Sequence, residues 1–229
     1  LRYSTDTKIA SIVGPSDIDS DENHIYSELG FYYTQQGQAE LLERSVLTNN
    51  GKRMTGDSLF YDRNRGIGEA FQNVEFVDTI SKNMLTGDYC FYNQLTGYAF
   101  ATDKAVATDF SQGDSLFIHA DTLQLYTFHV NTDSVYREAR AYHKVRFYRT
   151  DIQGVCDSLV FSSKDSCLTL YQDPILWNGN QQLLGEEIMV YMNDSTIDWA
   201  HIQNQALSVE RLDSLNYNQV SGKDMKAYF

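Results

Sequence analysis

Apolar and polar residues alternate with period two along most of this chain. In "GDSLFYD" Leu59 and Tyr61 share one face and Phe60 lies on the other. The same alternation sets Cys90/Tyr92 against Phe91, Leu116/Ile118 against Phe117, Leu159/Phe161 against Val160, and Ile188/Val190 against Met189. Near the end, Met225/Ala227 oppose Lys226. The first face is apolar in every copy and the second tolerates a charge, so the first is expected to point inward. The stretch 37–49, "GQAELLERSVLTN", places Ala39, Leu42 and Val46 at helical spacing. It precedes "GKRMTGD" as other strands precede their own copy of that phrase, and it reads as a strand.

These strands belong to a repeat. Gly56-Asp57-Ser58-Leu59 is followed by Gly87-Asp88-Tyr89-Cys90, Gly113-Asp114-Ser115-Leu116, Gly185-Glu186-Glu187-Ile188 and Gly222-Lys223-Asp224-Met225. "CDSLVF" at 156–161 keeps Asp-Ser-Leu with its glycine moved back to Gly154. Between the copies runs a second phrase of small residues: Gly68/Ala70/Val74, Ala99/Ala101/Ala105 and Ala139/Ala141/Val145, with "IQNQALSVERLD" a looser echo. Polar turns such as "DRNRG" and "NQLTG" join the two phrases. Units of roughly 25–45 residues with two or more strands each predict an all-β array of repeated antiparallel strands. The glycine is expected to ease the chain out of a turn, and the acidic residue to bond local backbone amides. The last copy stops at Phe229 before its turn. It is expected either to continue into further units in the full-length protein or to pair edge to edge with a neighbour.

Composition narrows the function classes. A chain of 229 residues holds one or two domains, and 16 Tyr with 12 Phe favour strands. A formal net charge of −13 removes the basic footprint that nucleic-acid binding needs. No uncharged apolar run approaches the length of a membrane span. The opening "LRYSTDTKIA" has the character of a processed or trimmed end. Of the three cysteines, Cys156 and Cys167 flank a hairpin. With "SSKD" as its turn, Cys167 faces Val160 and Cys156 faces Tyr171, too far out of register for a disulfide.

Candidate chemistry is sparse. Gly-Asp phrases lack the nine-residue tandem spacing of calcium repeats, and His24, His119, His129, His143 and His201 lack metal-ligand spacing. Asp57, Asp88, Asp114 and Asp157 could supply a carboxylate pair, yet they recur at one place per unit, which suits structure better. No nucleophile, phosphate-loop or dinucleotide motif occurs. Neither catalysis, metal nor cofactor is expected. The basic stretch "REARAYHKVRFYR" puts Arg140, Lys144 and Arg146 on one strand face, either a solvated edge or a phosphate contact.

The ordered set of Gly-Asp-x-Leu-x-Tyr, turn, and small-x-small-x-x-x-Val resembles the OstA/LptA-like domains of lipopolysaccharide transport. "CDSLVFSSKDSCLTLYQDPILWNGNQQLLGEEI" at 156–188 and "NYNQVSGKDMKAYF" at 216–229 look like the OstA-like proteins of Bacteroidetes. The resemblance runs over 26–229, and residues 1–25 are read as the first strands of the same body. It implies a β-taco or β-jellyroll with an open apolar groove that shields lipid A acyl chains. It implies a periplasmic location with outer-membrane association, and edge-strand pairing with like modules or head-to-tail with itself. The groove residues would then be Leu59, Tyr61, Cys90, Tyr92, Leu116, Ile118, Leu159, Phe161, Ile188, Val190 and Met225. A carbohydrate-binding or structural β-solenoid is the alternative.

Overall fold

The computed structural model describes residues 1–19, 23–49, 51–80, 82–111, 113–130, 132–193 and 196–229. Every regular element among them is a β-strand, as the period-two alternation and the Tyr, Phe, Val and Thr content dictate. The chain forms two compact units, Leu1–Ser111 and Gln112–Phe229.

The first unit is an antiparallel meander. It runs through β1 (Arg2–Ser4), β2 (Ile9–Asp19), β3 (Asn23–Tyr33), β4 (Gln38–Asn49), β5 (Lys52–Asp62), β6 (Ile67–Asp78), β7 (Asn83–Asn93) and β8 (Tyr98–Asp109), each paired with the next. The stretch at 37–49 is therefore a strand, β4. In the second unit β9 (Leu116–Phe128), β10 (Tyr136–Tyr148) and β11 (Ile152–Ser162) pair in sequence. Strands β12 (Cys167–Tyr171) and β13 (Ile175–Asn178) both pair with β11, as two halves of one bent strand. Strands β14 (Gln181–Leu184) and β15 (Glu187–Asn193) repeat that arrangement against β16 (Thr196–Arg211), which then pairs with β17 (Tyr217–Tyr228).

A left-handed corner breaks alternate long strands in two. In β6 Gln72 and Asn73 have φ of 56° and 51°, in β8 Asp103 and Lys104 have 59° and 60°, and in β10 His143 and Lys144 have 63° and 55°. Asn204 and Gln205 do the same in β16, and Gln172 and Asp173 between β12 and β13. Consecutive left-handed residues re-aim a strand, and the pairing registers shift at these points. The corner residues are exposed, while their flanks (Ala70/Val74, Ala101/Ala105, Ala141/Val145, Ile202/Ala206) are buried. Each strand therefore bends with these flanks inside the angle. The small residues of the second phrase line a crease, because two bent arms meet there and leave little room.

A corner also lies in β4. Leu41 and Ser45 are its buried flanks, with Glu43 at φ 58° between them. The helical spacing of Ala39, Leu42 and Val46 marks no single face there, since Ala39 pairs with Tyr61 on the inner face and Leu42 with Ser58 on the outer one. The Gly-Asp phrase lies opposite, in the partner strand. Gly87 has an ordinary φ, but an added Cβ would lie 3.0 Å from the Thr102 carbonyl oxygen. Glycine is present there for close approach of two backbones and not for release from a turn. The turn glycines are others: Gly37 and Gly66 have φ of 67° and 63°. Successive turns are linked, with Arg63 N–H donating to Gly37 O at 2.9 Å and Gln94 N–H to Gly66 O at 2.7 Å.

Candidate functional site

The crease gives each unit a continuous apolar inner surface. In the first, Leu41, Leu59, Ala70, Cys90 and Ala101 stand in register on neighbouring strands, and Leu59 is 6% exposed. In the second, Leu123, Ala141, Leu159, Leu170, Ile188 and Ile202 form the same row, ending at the half-buried Met225. Across the corner, the other arm of the first unit presents Ile25, Leu47, Met54, Phe76 and Leu85 in register. The matching row of the second unit holds Ile118, Phe147, Leu176 and Leu183, and Phe147 covers Gly154, where a Cβ would lie 2.3 Å from the ring.

Within each unit the sequence-derived groove residues fall on the inner face of the strands. Leu59, Cys90, Leu159, Ile188 and Met225 lie in the crease rows. Tyr61, Tyr92, Phe161 and Val190 lie two residues farther from the corner on the same face. Leu116 and Ile118 lie on the inner face of the opposite arm, because the copy of the phrase read at Gly113 is displaced. The residues in β9 that occupy the corner position are Ala120-Asp121-Thr122-Leu123, with Ala120 and Leu123 buried. The "GDS" at 113–115 is a connection, and β9 begins at Leu116. Similarly, Cys156 and not Gly154 occupies the glycine position of its copy, beside the buried Leu159.

The repeated carboxylates form a ridge on the outside of the corners. Asn73 Nδ2 donates to Asp57 at 3.0 Å, Lys104 Nζ to Asp88 at 2.9 Å and Gln205 Nε2 to Glu186 at 2.9 Å. Lys144 lies 3.8 Å from Asp121 and His143 3.5 Å from Asp157. Each of these acids faces a left-handed residue of a neighbouring strand, so the expected turn role is replaced by a corner role. Asp114 alone serves a connection: it accepts from Ser115 N–H at 2.9 Å, from Thr150 N–H at 2.9 Å and from the Thr150 hydroxyl. Those hydrogen bonds, the Thr150 hydroxyl foremost, hold its carboxyl below the usual range.

Nothing in this arrangement resembles a catalytic constellation. Among the described residues no group of three or more His, Cys, Asp or Glu could hold a metal ion. All three cysteines are free. The turn of their hairpin is Ser163–Ser166, so Cys167 pairs with Ser162 and Tyr171 with Ser158, where Val160 and Cys156 were expected. Burial pushes the Cys90 and Cys156 thiols up to about 12. Of the basic residues, Arg140 is held by Glu138 at 2.5 Å and stacks 4.7 Å from the Tyr126 ring centre. Lys144 is held by Asp121. Arg146 is exposed on the outer face and forms no ion pair among the described residues.

Comparison with known proteins follows this geometry. No curated protein sequence matches the chain significantly. Among solved structures that match is the crystal structure of LptH of Pseudomonas aeruginosa, described as the LptA homologous periplasmic component of the conserved lipopolysaccharide transport device. It is 11% identical, the match covers 74% of this chain and 93% of that chain, and the TM-score is 0.35. Residues 17–107, which run from β2 to β8, match the profile of the family described as OstA-like protein. That match lies within the first unit, Leu1–Ser111, and covers less than half of the chain.

Proposed function

We propose that this chain is a lipopolysaccharide-transport module of the periplasm, not an enzyme, which shields lipid A acyl chains against its creased inner surface. The observation that carries the reading is the register of apolar inner rows, Leu41–Leu59–Ala70–Cys90–Ala101 and its counterpart through Ile188, in a chain whose residues 17–107 match the OstA-like family. Burying an acyl chain there gains about 0.8 kcal/mol per methylene. A ten-carbon chain thus contributes roughly 8 kcal/mol at most, enough to hold a lipid on a protein of net charge −13. Of Arg140, Lys144 and Arg146, the last is without an ion pair among the described residues and is free to meet a lipid phosphate. Pairing of edge strands with like modules would extend the surface toward the outer membrane.

Native mass spectrometry with added lipopolysaccharide tests this reading. A stoichiometric adduct is expected from the wild type. Replacing Ile188, which is fully buried, by Asp should remove adduct or fold, because an unpaired buried charge is costly. A folded wild-type protein that takes up no lipopolysaccharide would overturn the proposal.

A further inference from the structure

On the inner face of the first unit, the row next to the crease is regular in a way the function above does not require. Across β1 to β8 it reads Tyr3, Ala10, Tyr32, Ala39, Tyr61, Gly68, Tyr92, Ala99 in strict register. Every odd strand contributes a tyrosine and every even strand an alanine or glycine. Tyr61 is 37% exposed and Tyr92 40%. Among the described residues Tyr3, Tyr32, Tyr61 and Tyr92 have no hydrogen-bond or ring partner, whereas the outer-face Tyr33 and Tyr89 hydroxyls bond Glu40 and Glu69. The floor between Tyr61 and Tyr92 is open, since a Cβ added at Gly68 would meet nothing within 4 Å, while Ala39 between Tyr32 and Tyr61 is 6% exposed, its slot closed over by the flanking side chains in this structure.

The matching row of the second unit is different. It reads Leu125, Ala139, Phe161, Leu168, Val190, Ala200 and carries no hydroxyl. One protein thus has a hydroxyl-edged row beside the crease in one unit and an apolar row at the same place in the other.

Spacing says what the first can hold. Neighbouring strands lie roughly 4.8 Å apart, so tyrosines on alternate strands stand roughly 10 Å apart. A single file of carbon atoms needs about 3.5–4.0 Å to the side chain on each side, or roughly 7–8 Å together. Each slot therefore admits one alkyl chain and not two. The slots lie over Ala10, Ala39 and Gly68.

We propose that this tyrosine row is a chain-separating comb for a multi-chain amphiphile, gripped where its acyl chains join the head group. One chain passes each slot into the crease, and the phenolic hydroxyls donate to the ester or amide carbonyls at the junction. The proposal rests on the lipid-carrying role above and adds to it the class of ligand and the unit that reads it.

The test uses the whole chain and two probes, hexa-acylated lipid A and a fluorescent single-chain fatty acid. The Y32F/Y61F/Y92F variant removes three of the row's four hydroxyls and keeps the rings, and Gly68→Leu fills one slot. Thermal melting first checks that both fold. The triple variant should bind lipid A about tenfold to a hundredfold more weakly, at a modest gain per lost hydrogen bond, with fatty-acid binding changed less than threefold (about 0.6 kcal/mol). Gly68→Leu should also weaken lipid A selectively. Should wild type bind neither probe, the lipid-carrying role itself fails. If wild type binds lipid A and the triple variant binds it equally, or loses both probes in parallel, the comb is overturned while the carrier role stands.

Discussion

Asp62 shows how a single side chain closes a turn in this protein. It is 2% exposed and accepts from Gln38 Nε2 at 2.9 Å and from Arg65 N–H at 3.0 Å. The Gln38 bond, then that of Arg65, hold its carboxyl below the usual range. A carboxyl lowered in the fold stabilises it above the unfolded-chain value of about 3.9 and ceases to do so as pH falls through the folded value. Asp62→Ala should therefore lower the melting temperature at pH 7 and bring it closer to wild type below about pH 4. An equal loss at both pH values would refute the assignment. The thiols give a second expectation. With Cys90 and Cys156 pushed up to about 12 by burial, a thiol reagent at pH 7.5 should leave both unmodified in the native protein and label them after unfolding. Rapid native labelling of either, located by peptide mapping, would contradict the burial.

At the level of the strand, the corner is the unit of construction. Gln72 has φ of 56°, is exposed and makes no side-chain bond among the described residues. A left-handed conformation costs an L-residue roughly 1–2 kcal/mol, and more where the side chain is β-branched. Gln72→Val should therefore destabilise by about 1–2 kcal/mol in urea titration, while Gln72→Gly should stay within about 0.5 kcal/mol of wild type. The reverse order would mean the corner does not form. The period-two faces at Leu59, Cys90, Leu159 and Ile188 were legible in the sequence, because strand alternation is local. The corner was less so, for its left-handed pairs follow no residue type. What marks them is a polar pair between buried flanks: Gln72-Asn73, Asp103-Lys104, His143-Lys144, Asn204-Gln205. Such a pair was also the signal that could have moved the third copy from Gly113 to Ala120, since Lys144 meets Asp121 across the ladder. The tyrosine comb escaped notice because its members are neighbours only through strand pairing, about 30 residues apart in the chain.

The molecule as a whole must also deal with the boundary of its second unit. Within that unit β17 pairs with β16 alone. Nearly all of its residues are exposed, with Val220 52% accessible, and its free side offers a row of backbone donors and acceptors. Lys223, Asp224 and Lys226 are its charges, and Lys226 is partly committed to the Trp199 ring at 4.8 Å. That is thin protection against strand addition. Opposing it is the repulsion between copies of net charge −13, which salt screens to about 8 Å at physiological ionic strength. Backbone pairing is short-ranged and survives salt, whereas the repulsion does not. Self-association through this edge should therefore rise with protein concentration and also with salt between about 10 and 150 mM. Static light scattering over both series reads this directly. Val220→Lys, which adds charge at the edge, should shift the association to higher concentration without changing the melting temperature appreciably. A wild-type mass that stays monomeric throughout would exclude self-pairing through β17 and restrict the edge to a partner of different sequence.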